Sequence, residues 1–167
     1  MKILSFMMAL LATLMFSSCQ SSKSEMVYRA KQNLEASLDY PKQLKVIAHT
    51  QPDSAFGVTY FTRKEITGML KVMDIVTKQL MAKTKDVNDI SSVDVYTAAL
   101  MRRQMNAATD VQTMIFKNVP KGQWSGWKVK IDYECVDKDG IKYRAERWVF
   151  FDKDGKNVIK NFEIPLP

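Results

Sequence analysis

Histidine and cysteine are scarce in this 167-residue chain: one histidine, His49, and two cysteines, Cys19 and Cys135. One histidine excludes a His-rich zinc or iron centre. Two cysteines cannot build a disulfide scaffold or a four-thiolate metal site. Glycine (6) and proline (5) are too few for a low-complexity or collagen-like chain. The sequence also holds no glycine-rich phosphate loop, no nucleophile elbow and no His-Glu metal motif. What is present is an apolar fraction of 46%, enough for a packed core, in a length that suits one domain.

The first segment is the most informative. Lys2 precedes an apolar run from Ile3 to Phe16, and the small residues Ser17 and Ser18 close it. A charged start, a short apolar core and a small-residue end make a secretory signal peptide over residues 1–18. The run is shorter than the roughly 20 residues of a membrane-spanning helix. Phe16-Ser17-Ser18-Cys19 resembles the lipobox of bacterial lipoproteins, with Phe16 standing where that family usually has Leu. The resemblance implies that Cys19 is lipidated with palmitate-type acyl chains and becomes the first mature residue. It also implies that Gln20, in place of Asp, directs the protein onward to an outer membrane where the cell has one. The alternative is an ordinary cleaved signal followed by an incidental cysteine. With each buried CH2 contributing about 0.8 kcal/mol, several acyl chains anchor a protein without spanning the bilayer. The organisation expected is a signal peptide at 1–18, a lipidated polar tether at 19–24 and a single domain at 25–167. The expected location is the cell membrane or outer membrane, with the domain outside the cytoplasm.

Loss of residues 1–18 removes one lysine from the formal charge of +7, leaving 24 basic residues against 18 acidic. Export and the dispersal of lysines among acids exclude nucleic acid as a partner. Near a membrane, such a charge favours anionic headgroups or acidic polymers.

The mature chain reads as α+β. Val27, Ala30, Leu34 and Leu38 recur at helical spacing over Glu25 to Leu38, and Pro41 closes that helix. Gln43 to Thr50 alternates as a strand, Gln51 to Ser54 is turn chemistry, and Phe56, Val58 and Tyr60 suggest a second strand, making a short hairpin. Thr62 and Glu65 form a capping box. The helix they open carries Ile66, Met69, Leu70, Met73, Val76 and Leu80 on one stripe and ends in the polar stretch 84–91. A third helix spans about Ser92 to Lys117, with Tyr96, Leu100, Ala107, Val111, Met114 and Ile115 on its main face and Ala98, Met101 and Met105 on another. Pro120 and Gly122 stop it.

The last third is a three-stranded antiparallel meander. Trp127, Val129, Ile131, Tyr133 and Cys135 alternate with polar residues, and two Asp-Lys-Asp-Gly segments mark turns, each expected as a three-residue loop with a left-handed glycine. Pairing Asp137 with Ile141 sets Cys135 opposite Tyr143, Glu134 opposite Arg144, Ile131 opposite Arg147 and Trp127 opposite Phe151. This register puts Arg147 on the apolar face and Trp148 and Phe150 on the wet one. The second strand is therefore expected to be covered on both sides or to contain a bulge. Otherwise the helices are expected to pack on one face of the sheet.

Arg147 needs a carboxylate or an anionic ligand on an apolar face. The simplest register puts Asn161 beside it and Glu163 one step along. The two readings are a polar pocket and a structural ion pair. Trp124 and Trp127, flanked by Lys117, Lys121, Lys128 and Lys130, could contact sugars or lipid headgroups. Against that, Trp127 begins the core face by its alternation and Trp124 could cover an edge. Cys135 reads as a buried structural thiol, and His49 has no catalytic partner at a fixed spacing. The Asp-Lys-Asp-Gly segments lack the twelve-residue ligand spacing of an EF-hand, so turns are preferred over a metal site.

No catalytic constellation and no cofactor motif emerges. The function expected is that of a lipid-anchored envelope protein with a non-enzymatic binding or assembly role, acting on an envelope protein or an anionic glycan. The alternative is a hydrolase or small-ligand-binding domain with a polar pocket around Arg147. That alternative requires Arg147 to line a cavity with a second titratable group, and it fails where Arg147 is exposed or locked in an ion pair.

Overall fold

The computed structural model describes residues 23–56, 61–84, 93–116 and 124–167. The expected signal peptide and Cys19 lie outside the described residues. The described part of helix α1 covers residues 23–36, ending two residues earlier than the apolar spacing predicts. Lys23 and Ser24, expected in the tether, are therefore helical. A 3-10 turn at Pro41–Gln43 leads into β1, Lys45–His49, and then β2, Asp53–Phe56. Helices α2, Arg63–Lys83, and α3, Val95–Phe116, follow. The meander is β3, Trp124–Val136, β4, Lys142–Phe151, and β5, Val158–Pro165. The α+β class and the C-terminal meander agree with the sequence reading.

The helix starts show how the sequence acts locally. The Thr62 backbone N–H donates to Glu65 Oε2 at 2.7 Å, and the Glu65 N–H donates back to Thr62 Oγ1 at 3.2 Å, completing the capping box. For α3, Asp94 Oδ1 accepts from the Thr97 backbone N–H at 3.0 Å, filling the same role. These bonds to the charged form hold the Asp94 carboxyl below its ordinary range, the Thr97 hydroxyl contributing most.

The sheet corrects two expectations. First, β1 and β2 do not form a hairpin with each other. Both pair antiparallel with β3, β1 against Ile131–Glu134 and β2 against Trp124–Lys128, so they form one edge broken at Thr50–Pro52. Pro52 cannot donate to a ladder, which accounts for the break. The second strand expected through Tyr60 ends its described part at Phe56, because 57–60 lie outside the described residues.

Second, the helices occupy both faces. Met26, Ala30 and Leu34 of α1 pack with Val129, Ile131, Tyr133, Ala145, Val149 and Phe151. Met69 and Met73 of α2 and Ala107, Val111 and Met114 of α3 pack with Trp148, Phe150, Phe162 and Ile164. Strand residues alternate faces, so odd positions of β4 meet α1 and even positions meet α2 and α3. The double covering of β4 that Trp148 and Phe150 signal is therefore present, without a bulge between β3 and β4. Phe61 sits edge-on to Trp148, Phe150 and Phe162 at 5.2–5.8 Å and fills the second core.

Within the helices, the α2 stripe is buried at Met69, Met73, Val76 and Leu80, but Leu70 is exposed. On α3, Tyr96 and Met105 are exposed, while Thr97 and Gln104 are buried. Gln104 is inside because its amide donates to the Met73 carbonyl and the Thr77 hydroxyl, tying α3 to α2.

The β3–β4 register is the expected one at every pair, including Cys135 with Tyr143, Glu134 with Arg144 and Ile131 with Arg147. The β4–β5 register differs. Asp152 N donates to the Asn157 carbonyl, so this loop is one residue longer than the first. A second irregularity falls between Phe150 and Phe151. Two one-residue shifts restore the face parity and bring Glu163, not Asn161, opposite Arg147. Both loop glycines are left-handed as expected, Gly140 at φ 79° and Gly155 at φ 70°.

Candidate functional site

Arg147 sits on the α1 face of β4, with a side chain only 11% exposed. Its guanidinium reaches Glu163 Oε2 at 3.2 Å, Asn161 Oδ1 at 3.0 Å and Ser37 Oγ at 3.1 Å. Glu163 is shared. Arg103, which α3 projects around the β5 edge, binds Glu163 Oε1 at 2.8 Å. The buried Tyr133 hydroxyl donates to Glu163 Oε2. Arg103 also lies 3.4 Å above the Tyr143 ring and 3.7 Å from Asp137. One carboxylate thus joins two guanidiniums and a phenol from three strands and a helix.

The electrostatics follow from this geometry. Burial, then the Glu163 charge, pushes the Tyr133 hydroxyl far above its ordinary value, so it stays a neutral donor. Tyr143 is raised by burial and by Glu163 in the same order. For Arg103, burial works to lower the pKa, but Glu163 and the two tyrosines outweigh it and the guanidinium is held charged.

The cluster borders a cleft of about 320 Å³ lined by Asp39, Arg103, Asn106, Asp110, Arg147 and Glu163, among others. Arg147 therefore both lines a cavity and is locked in an ion pair. Both guanidiniums are bound to Glu163, Arg103 has Asp137 as a second carboxylate at 3.7 Å, and Asp39 and Asp110 also line the cleft, so neither arginine stands there without an acidic neighbour. A larger cleft of about 480 Å³ lies by Lys45, Tyr96, Glu134 and Arg144. There, Glu134 already pairs with Arg144 at 3.5 Å and with Lys45 at 3.4 Å.

The chain matches no family model, no curated protein and no solved structure.

The aromatic candidates lie at the far end of β3. Trp124 is 39% exposed and pairs across the ladder with Phe56, which is 52% exposed. Trp127 is half-buried, edge-on to Trp124 at 5.7 Å, and its indole N–H donates to the Lys153 carbonyl at 3.1 Å. Two of the lysines expected to flank this pair are committed elsewhere. Lys128 is 3% exposed and bonds Glu65 Oε2 at 2.6 Å. Lys130 bonds Asp132 and Glu146. Lys117 and Lys121 lie outside the described residues.

The remaining candidates have local roles. Cys135 is buried and free, with its Sγ 3.5 Å from the Tyr40 carbonyl. His49 is exposed, and Nδ1 lies 3.2 Å from the Thr50 carbonyl. The loop aspartates turn inward on their own loops: Asp137 accepts from the Asp139 and Ile141 N–H groups, and Asp152 from those of Lys156 and Asn157. Among the described residues no group of three or more His, Cys, Asp or Glu side chains is placed to hold a metal ion. Arg103 is the residue sequence reasoning missed. Its partner lies 60 residues away on another element, and no periodicity links the two.

Proposed function

We propose that the protein is a lipid-anchored component of a bacterial cell envelope, with a non-enzymatic binding or assembly role outside the cytoplasm. The observation that carries this reading is the sequence Phe16-Ser17-Ser18-Cys19 after a short apolar run. Two structural features support it. No helix among the described residues is long and apolar enough to cross a membrane, so an acyl anchor would be the means of attachment for this part of the chain. The exposed pair Phe56 and Trp124 supplies an aromatic patch of the kind a binding surface uses. The hydrolase or small-ligand reading around Arg147 has less support, since Arg147 and Arg103 are both spent on Glu163.

Expression of the full chain and of Cys19→Ser in a bacterial host, followed by membrane fractionation, tests the anchor. Wild type should sediment with membranes and Cys19→Ser should appear in the soluble envelope fraction. Equal membrane association of the two would overturn the reading. Pull-down of the anchored protein from detergent-solubilised envelopes then tests the binding role, with a stoichiometric envelope partner or glycan as the expected outcome.

A further inference from the structure

We infer that the end of the domain formed by the β4–β5 turn and the start of β3 is a membrane-contact face, with Phe56 and Trp124 as its interfacial residues. The inference rests on the lipid-anchored reading above and adds to it the orientation of the domain on the bilayer.

The argument begins at α1. Its first turn is pinned to the β4–β5 turn: a Cβ placed on Gly155 would come within 2.6 Å of Met26 Sδ, and Arg29 donates to the Lys156 carbonyl. The same turn accepts the Trp127 indole N–H at Lys153, and Gly126 packs against the Phe151 and Asp152 backbone. Trp124 and its ladder partner Phe56 lie just beyond Gly126. The start of α1 and the two exposed aromatic rings therefore share one end of the molecule.

Chain length then decides which end meets lipid. The first described residue of helix α1 is Lys23, four residues after Cys19. Four residues reach at most about 14 Å. The opposite end, at the β3–β4 turn, lies a full β3 length away, and thirteen residues of strand measure about 40 Å. An acyl chain on Cys19 thus holds the Phe56–Trp124 end, and not the β3–β4 turn, close to the bilayer.

The chemistry of this end fits the headgroup region. Tryptophan and other amphipathic rings favour the membrane–water interface. The described charges there nearly balance: exposed Lys153 and Lys156 sit beside exposed Asp154, and Arg29 is paired with Glu25. Contact should therefore depend on the rings and little on anionic lipid or salt.

The test uses the full chain, purified from membranes and reconstituted into phosphatidylcholine vesicles with and without phosphatidylglycerol. The readout is tryptophan quenching by lipids brominated near the headgroup. The chain has three tryptophans, and Trp148 is buried in the second core. Quenching of the wild type in both vesicle types, unchanged by salt, weakened in Trp124→Phe and mostly lost when Trp127→Phe is added, is the expected result. Phe56→Gln, checked by thermal melt for an intact fold, should also reduce it. Mass measurement of the same sample separates the two claims. An acylated chain with unquenched tryptophan, or with quenching that survives replacement of both Trp124 and Trp127 by Phe, overturns the membrane face alone. Protection of Trp124 only by an added envelope protein or glycan would reassign the face to that partner. A chain without acyl groups overturns the anchored reading and this inference with it.

Discussion

Arg147 and Glu163 face each other across β4 and β5 at 3.2 Å, and Arg103 holds the other oxygen of the same carboxylate. The ion pair is therefore asymmetric in its dependence. Removing one arginine leaves Glu163 with the other, whereas removing the carboxylate leaves two guanidiniums facing each other beside the buried Tyr133.

This asymmetry predicts an order of stabilities. Arg147→Ala should cost about 1.5–3 kcal/mol, the range for a hydrogen bond to a charged group. Glu163→Ala should cost more, about 3–5 kcal/mol, as for breaking a buried pair on its uncompensated side. Urea unfolding of the two variants checks the order, and equal costs would contradict the shared-carboxylate arrangement.

How far the sequence reaches is clear at this same site. The β3–β4 register follows from alternation and a three-residue loop, both local, and Arg147 opposite Ile131 is legible from them. Glu163 opposite Arg147 is not legible, because it depends on an extra loop residue and a bulge after Phe150 that together move the pairing by two residues. Arg103 escapes notice because the α3 pattern carries no mark of a partner on β5. The placing of α1 alone on its face, opposite α2 and α3, is foreshadowed only by the two apolar sets on β4.

The tyrosines predict an alkaline limit to stability. Burial and Glu163 raise Tyr133 and Tyr143 above their ordinary value of 10.0. Above pH 10 the unfolded chain would lose phenol protons that the folded chain keeps. Stability should be full below that pH and fall as pH rises through it. Denaturation at pH 9 to about 11.5 should show this slope, and Tyr133→Phe should flatten it. A slope unchanged in Tyr133→Phe would contradict the assignment.

Glu65 has two roles, closing the capping box on Thr62 and binding the buried Lys128 Nζ at 2.6 Å. Thr62→Ala should cost about 1 kcal/mol, the ordinary value of a helix cap. Glu65→Ala should cost about 3 kcal/mol or more, because it also leaves a buried ammonium poorly compensated. Adding Lys128→Met to Glu65→Ala should recover part of that loss in a double-mutant cycle, whereas strict additivity would contradict the link.

The glycines rank by surroundings. Gly126 has φ 146°, and a Cβ there would meet the Phe151 carbonyl oxygen at 2.0 Å, backbone that cannot yield. Gly140 has φ 79° in open space. Gly140→Ala should cost about 1 kcal/mol from backbone strain alone, and Gly126→Ala should fail to give a cooperative thermal transition. Comparable melting of the two would contradict the close packing of β3 on β4 at this point.

The lipid anchor is the central claim, and intact-mass and peptide mass spectrometry of the chain purified from bacterial membranes test it most directly. The account predicts a mature N-terminus at Cys19 carrying acyl chains, with residues 1–18 removed. A mature chain that starts elsewhere, or an unmodified Cys19, would contradict it.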